Sequence, residues 1–141
     1  MSLDDRELDL LRATLRDMAR AAPASASIFY DRLFEIAPET RPLFTSDMEQ
    51  QGVKMMSTLG AIVAQLHDQV ALAPIVADLA RRHVAYGVVP AHYEKLGEAL
   101  LWTVARSLGP RCTPEVRVVW TKAYAALAAA MLEASAEMDH R

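Results

Sequence analysis

The stretch LARRHVAYGVVPAHYEKLGEALL, residues 79–101, carries a histidine on an apolar helical pattern, then Gly87 and Pro90, then a second helical pattern. Leu79 and His83 are four residues apart, so they share one helix face with Leu72, Ile75 and Val76 before them and Tyr86 after. The glycine and the proline read as a corner. Beyond it Tyr93, Leu96, Leu100 and Val104 resume a helical spacing. These residues imply two helices joined by a tight corner, the first of which turns its histidine toward the interior.

The same period runs outward through the chain. It predicts a helix over 3–20 striped by Leu8, Leu11, Leu15 and Met18, and one over 24–37 striped by Phe29, Leu33 and Ile36 and stopped by Pro38. PETRPLF (38–44) reads as a corner with one tight turn. Helices over 47–67 (Met55, Leu59, Ile62, Val63, Leu66), 71–87 and 90–108 follow, with Pro74 expected near the first turn of its helix and Pro90 opening the next. After LGPRCTP (108–114), Thr113, Pro114 and Glu115 have the order of a cap, a first-turn proline and an acidic first turn. The last helix, 114–138, is striped by Val116, Val119, Trp120, Ala123, Tyr124, Leu127 and Met131. No strand-like alternation, repeat or linker interrupts this, so the chain reads as all-α and as one domain over 1–141.

Composition narrows the function classes. In 141 residues, 52% hydrophobic and 23% charged, there is material for a sizeable core and little case for disorder. A net charge of −3 offers no basic field for nucleic acid or an anionic membrane. One cysteine, Cys112, excludes an internal disulfide and a four-cysteine zinc site. MSLDDRELDLLRATLRDMAR (1–20) is acidic and amphipathic, without a signal core, and no apolar run approaches the ~20 residues of a membrane span. A soluble cytoplasmic protein is therefore expected. No nucleophile elbow or glycine-rich phosphate loop occurs, and Asp4 and Asp5 read as solvated helix surface.

Periodicity leaves two readings of His83. One is a core histidine bonded to a backbone carbonyl. The other is a metal ligand, since neutral imidazole is a common one. No zinc-type partner stands near, because His92 is nine residues on and in another helix, and one nitrogen cannot hold zinc alone. One nitrogen can serve as the axial ligand of a haem, whose macrocycle supplies the other donors.

FYDRLFEIAPETRPLF (29–44), LARRHVAYGVVPAHYEKLGEALL (79–101) and LGPRCTPEVRVVWTKAYAALAAAM (108–131) together resemble the globins. The likeness is to single-domain bacterial globins, the globin part of flavohaemoglobins and neuroglobin-like sequences, and it spans essentially the whole chain. It implies a three-over-three globin fold and a haem b cofactor. On this resemblance His83 takes the place of the proximal iron ligand and Phe44 that of the corner phenylalanine stacked on the porphyrin. Gln51 falls at the distal position, with Gln50 the alternative one residue away, and Tyr30 matches the second-helix tyrosine whose hydroxyl reaches the distal pocket. Met55 would wall the ligand site, Leu79, Val88 and Tyr93 would line the proximal side, and Lys54 would reach a haem propionate.

Two departures accompany the resemblance. Gln51 stands where vertebrate globins have a distal histidine. Flavohaemoglobin-type globins place a glutamate on the last helix to join a tyrosine and the proximal histidine; here that position is Ser135, between Glu133 and Glu137. His83 is then expected to bond only to backbone near Leu79. The function implied is reversible binding of dioxygen, or another diatomic gas such as nitric oxide. Nitric oxide dioxygenation with an external reductase and haem-based gas or redox sensing are the alternatives. A monomer or a homodimer is expected.

Overall fold

A computed structural model describes residues 3–20, 22–45 and 47–139. Its elements are α1 (Asp5–Arg20), α2 (Ala22–Ile36), a 3-10 turn (Pro38–Leu43), α3 (Met48–Ala64), α4 (Gln69–Ala85), α5 (His92–Leu108), a second 3-10 turn (Gly109–Arg111) and α6 (Pro114–Asp139). No strand occurs among the described residues. Among the described residues no helix is long and apolar enough to cross a membrane.

Side chains near the helix ends set these limits. Asp4 and Glu7 cap α1 reciprocally: Asp4 Oδ1 accepts from the Glu7 N–H at 2.8 Å and Glu7 Oε1 accepts from the Asp4 N–H at 3.1 Å. Asp4 is thus a cap, where sequence suggested plain solvated surface. Asp47 accepts from the Glu49 N–H to start α3, and the Thr113 hydroxyl accepts from the Val116 N–H at 3.2 Å to start α6, as its order with Pro114 predicts.

The starts of α4 and α5 differ from expectation for reasons visible in their caps. Asp68 accepts from both the Val70 and Ala71 N–H groups at 3.1 Å, so α4 begins at Gln69 and Pro74 lies in its second turn. Pro74 has no N–H to donate to the Val70 carbonyl one turn back, and Val70 is exposed. Ahead of α5, the Val89 N–H donates to His92 Nδ1 at 3.1 Å and the His92 N–H to the Val89 carbonyl at 2.9 Å. That closed turn places the helix start at His92 instead of Pro90.

The helices pack as the three-over-three sandwich that the resemblance implies. One layer is α1, α3 and α4, and the other α2, α5 and α6, with α2 and α3, α1 and α6, and α4 and α6 meeting across the middle. Leu11, Met18, Leu33, Val104, Val116 and Val119 are almost wholly buried between the layers. Two contacts fix the crossings. Trp120 Nε1 donates to Thr14 Oγ1 at 2.9 Å, and Thr14 in turn donates to the Leu10 carbonyl at 2.8 Å, so the one polar group of a buried tryptophan is satisfied on α1. Where α2 crosses α3, a Cβ on Gly52 would stand 2.6 Å from the Ala26 Cβ, so only glycine lets the backbones come this close.

Candidate functional site

The site grows from the end of α4. His83 sits in its last turn, and that turn closes with the Val88 N–H on the His83 carbonyl at 2.9 Å and the Gly87 N–H on the Val84 carbonyl at 3.0 Å. This pair of bonds is the glycine-terminated helix end that requires a left-handed residue, and Gly87 supplies it at φ +92°. The corner read from sequence therefore stops the helix two residues past His83 and holds that residue's backbone in place.

The imidazole is held as well. His83 Nδ1 lies 2.9 Å from the Leu79 carbonyl, which can only accept, so Nδ1 carries the hydrogen and Nε2 keeps its lone pair. No hydrogen bond to Nε2 occurs among the described residues. Burial holds the ring's pKa below the usual histidine value; the Leu79 bond opposes this in part and the Arg82 charge adds to it. A neutral imidazole with one free nitrogen is the form in which histidine binds a metal.

Tyr93, from the start of α5, stacks on His83 with ring centroids 6.2 Å apart and planes 19° from parallel. Burial raises the Tyr93 pKa, and the nearby Ser135 hydroxyl opposes the rise. Ser135 Oγ itself is buried without a hydrogen-bond partner, so its approach to Tyr93 falls short of a bond. The Tyr124 hydroxyl donates to the Tyr93 carbonyl, which ties α6 to this side. Leu79 and Val88 are partly buried and packed on the core beside it.

A second group gathers where α2, the 3-10 turn and α3 meet. Tyr30 is 7% exposed, and its hydroxyl donates to the Gln51 main-chain carbonyl at 3.4 Å. Its ring meets Phe44 edge-on at 5.2 Å and stacks on Phe34 at 6.1 Å, while Phe34 and Phe44 meet edge-on at 5.4 Å. Burial pushes the Tyr30 pKa up to about 12, so the hydroxyl keeps its proton at neutral pH. Gln51 is partly buried and Gln50 exposed, so of the two glutamines it is Gln51 that adjoins Tyr30. Met55 is partly buried, packed one turn on, and Lys54 is exposed on the outer side of α3.

Tyr30, Phe44 and Gln51 are thus together on one side, and Leu79, His83 and Tyr93 on the other, with α3 packed against both α2 and α4. Phe34 joins the first group although periodicity did not single it out; its spacing of four from Tyr30 on one helix face was the available signal. Among the described residues no three His, Cys, Asp or Glu side chains gather to hold a bare metal ion. The donor set is one neutral imidazole among apolar and aromatic side chains. That suits a haem, which brings four in-plane donors of its own, and it suits no bare cation. Two surface grooves, at Leu10, Val118 and Val119 and at Leu8, Arg12 and His67, contain none of these residues.

The globin family model matches residues 27–131, from just before Tyr30 to beyond Tyr124. The chain belongs to the globin family. A globin is a haem-binding protein, and the imidazole described above is placed to suit that cofactor. Over 139 residues, 96% of its length, it is 26% identical to a flavohemoprotein of Bacillus subtilis (strain 168). Over 142 aligned positions, 99% of its length, it is 28% identical to a flavohemoprotein of Rhizobium meliloti (strain 1021). In each case this globin spans about a third, 35%, of the relative's length.

Proposed function

We propose that this globin binds dioxygen reversibly at a haem b whose iron is held by His83. The observation that carries the reading is the His83 geometry: Nδ1–H committed to the Leu79 carbonyl, Nε2 free, and the ring kept neutral by burial. Bound haem supplies a ferrous iron that takes a diatomic ligand and shifts electron density onto it. The chain's part is to exclude water and aim donors at that charge. Tyr30, protonated and caged, and the Gln51 amide are the donors we assign, each contributing about 1 kcal/mol, close to the ~1.4 kcal/mol that makes a tenfold change in affinity. Phe44 would stack on the macrocycle, Met55 would wall the ligand side, Leu79, Val88 and Tyr93 would line the histidine side, and Lys54 would meet a propionate from outside.

The kinship with proteins named flavohemoproteins favours a second reading, nitric oxide dioxygenation, because their additional length includes what their name attributes to a flavin. No glycine-rich phosphate loop lies in these 141 residues, so the electrons would come from a reductase outside them.

Absorption spectroscopy tests the first reading. The purified protein loaded with haem should show a Soret band that shifts on reduction and again with carbon monoxide, and His83→Ala should lose stable haem. A normal spectrum in that variant would sink the axial-ligand assignment. Nitric oxide consumption that depends on an added flavin reductase would select the second reading over simple oxygen binding.

A further inference from the structure

We infer that Phe34 is a positioning residue: stacked on Tyr30 and covered by Arg41, it fixes where the Tyr30 hydroxyl stands, and so how firmly the pocket holds a polar diatomic ligand. This rests on the proposed role of Tyr30 as a donor.

The Tyr30 hydroxyl is the atom of that side chain farthest from the backbone, so any tilt of the ring is magnified there. The polar contact visible at that oxygen is weak. At 3.4 Å the bond to the Gln51 carbonyl is at the long limit for an O–H donor, too long to hold the ring in place. The ring must be held by packing.

Three aromatic rings surround it. Phe29 meets Tyr30 edge-on at 5.0 Å from within α2, and Phe44 meets it edge-on from the corner. Phe34, one helical turn beyond Tyr30, closes the remaining side as the stacked partner and also meets Phe44, so Tyr30, Phe34 and Phe44 form a triangle in which every pair is in contact. Such offset and edge-on pairs have preferred geometries, so each ring restricts the tilt of the others.

Phe34 is only partly buried, and its position is secured from outside. The Arg41 guanidinium lies over the Phe34 ring, 4.9 Å from its centroid, and Arg41 Nη1 also reaches Met48 Sδ at 3.9 Å. A chain of contacts thus runs from an exposed arginine at the 3-10 turn, through Phe34, to the hydroxyl beside Gln51. Arg41 and Phe34 need touch no ligand to act on it.

The test is a double-variant cycle on the haem-loaded full chain, comparing native protein, Tyr30→Phe, Phe34→Leu and the double variant. Phe34→Leu should speed oxygen release roughly threefold to tenfold, the range that aromatic pair energies give in an equilibrium constant. Carbon monoxide, a poor hydrogen-bond acceptor, should leave at a rate changed far less, and its infrared stretch should move toward that of Tyr30→Phe. In the Tyr30→Phe background Phe34→Leu should add nothing, because no hydroxyl is left to misplace. Arg41→Gln, which leaves the core intact, should act in the same direction more weakly and decides the matter if Phe34→Leu fails to fold.

Unchanged oxygen release in Phe34→Leu, or in Arg41→Gln where that decides, overturns the inference. So does an equal acceleration with and without the hydroxyl, the mark of a merely structural role. If Tyr30→Phe alone leaves oxygen release unchanged, the donor reading itself fails, and the inference with it.

Discussion

His83 Nδ1 stands 2.9 Å from the carbonyl of Leu79, four residues earlier on the same helix. That carbonyl is also the ordinary acceptor for the His83 N–H, so one oxygen serves both the backbone and the ring. The ring is therefore oriented by its own helix, and among the described residues no carboxylate bonds to it.

Removing the imidazole while leaving its space makes that arrangement testable. His83→Gly should purify without a stable Soret band, and added imidazole should restore one by occupying the vacated position. A His83→Gly protein that retains haem without imidazole would show that another residue can take the ligand's place.

Gly87 ends the same helix. At φ +92° a side chain is strained, and a Cβ there would also stand 3.2 Å from Leu43 Cδ2. Gly87→Ala should cost about 1–2 kcal/mol in apoprotein stability, read by denaturant unfolding. Because the Val88 N–H caps the His83 carbonyl through this turn, the same variant should also lose haem faster than the native protein.

The crossing of α2 and α3 makes a sharper demand. With 2.6 Å between the Ala26 Cβ and a Cβ built on Gly52, Gly52→Ala should destabilise by about 1–3 kcal/mol. Ala26→Gly in the same chain should recover most of that loss, since the two methyl groups compete for one space. A simple sum of the two single effects would mean that the helices part in some other way.

Much of this was legible in the sequence because a helical stripe is a local, repeating signal. The spans of all six helices follow from it, and His83 is placed on the inner face by its distance from Leu79 alone. What escaped depends on geometry between neighbours. Asp4 looks like one more surface acid until its bond with Glu7 is seen, and Pro74 falls in a second turn because Asp68 begins the helix two residues earlier. Phe34 escapes for a related reason: its importance lies in contacts with Phe44 and Arg41, which the Pro38–Leu43 turn brings round.

Ser135 offers a prediction of the opposite sign. Its hydroxyl is buried and unpartnered, so Ser135→Ala removes a desolvated polar group and no hydrogen bond. Stability should be unchanged or rise by up to about 1 kcal/mol in denaturant melts. A clear loss of stability would mean that Ser135 has a partner in solution, such as an ordered water.

Tyr30 sets an alkaline limit on the stability of the α2–α3 contact. Its pKa is pushed up to about 12 by burial, from an ordinary value of about 10 in the unfolded chain. Between these values the unfolded state releases a proton that the folded state keeps, so stability falls as pH rises through that window and is unaffected below it. For this one group the loss amounts to about 2–3 kcal/mol by the top of the window. Tyr93 and Tyr124 are raised in the same direction and add to the fall. Unfolding of the apoprotein followed from pH 9 to 12 should therefore show a steep decline that Tyr30→Phe makes visibly shallower. Below pH 9 the variant's stability should run parallel to that of the native protein. An equally steep decline in both proteins would mean that the Tyr30 hydroxyl is in contact with water, and a wet hydroxyl is a poorer donor to any ligand beside Gln51.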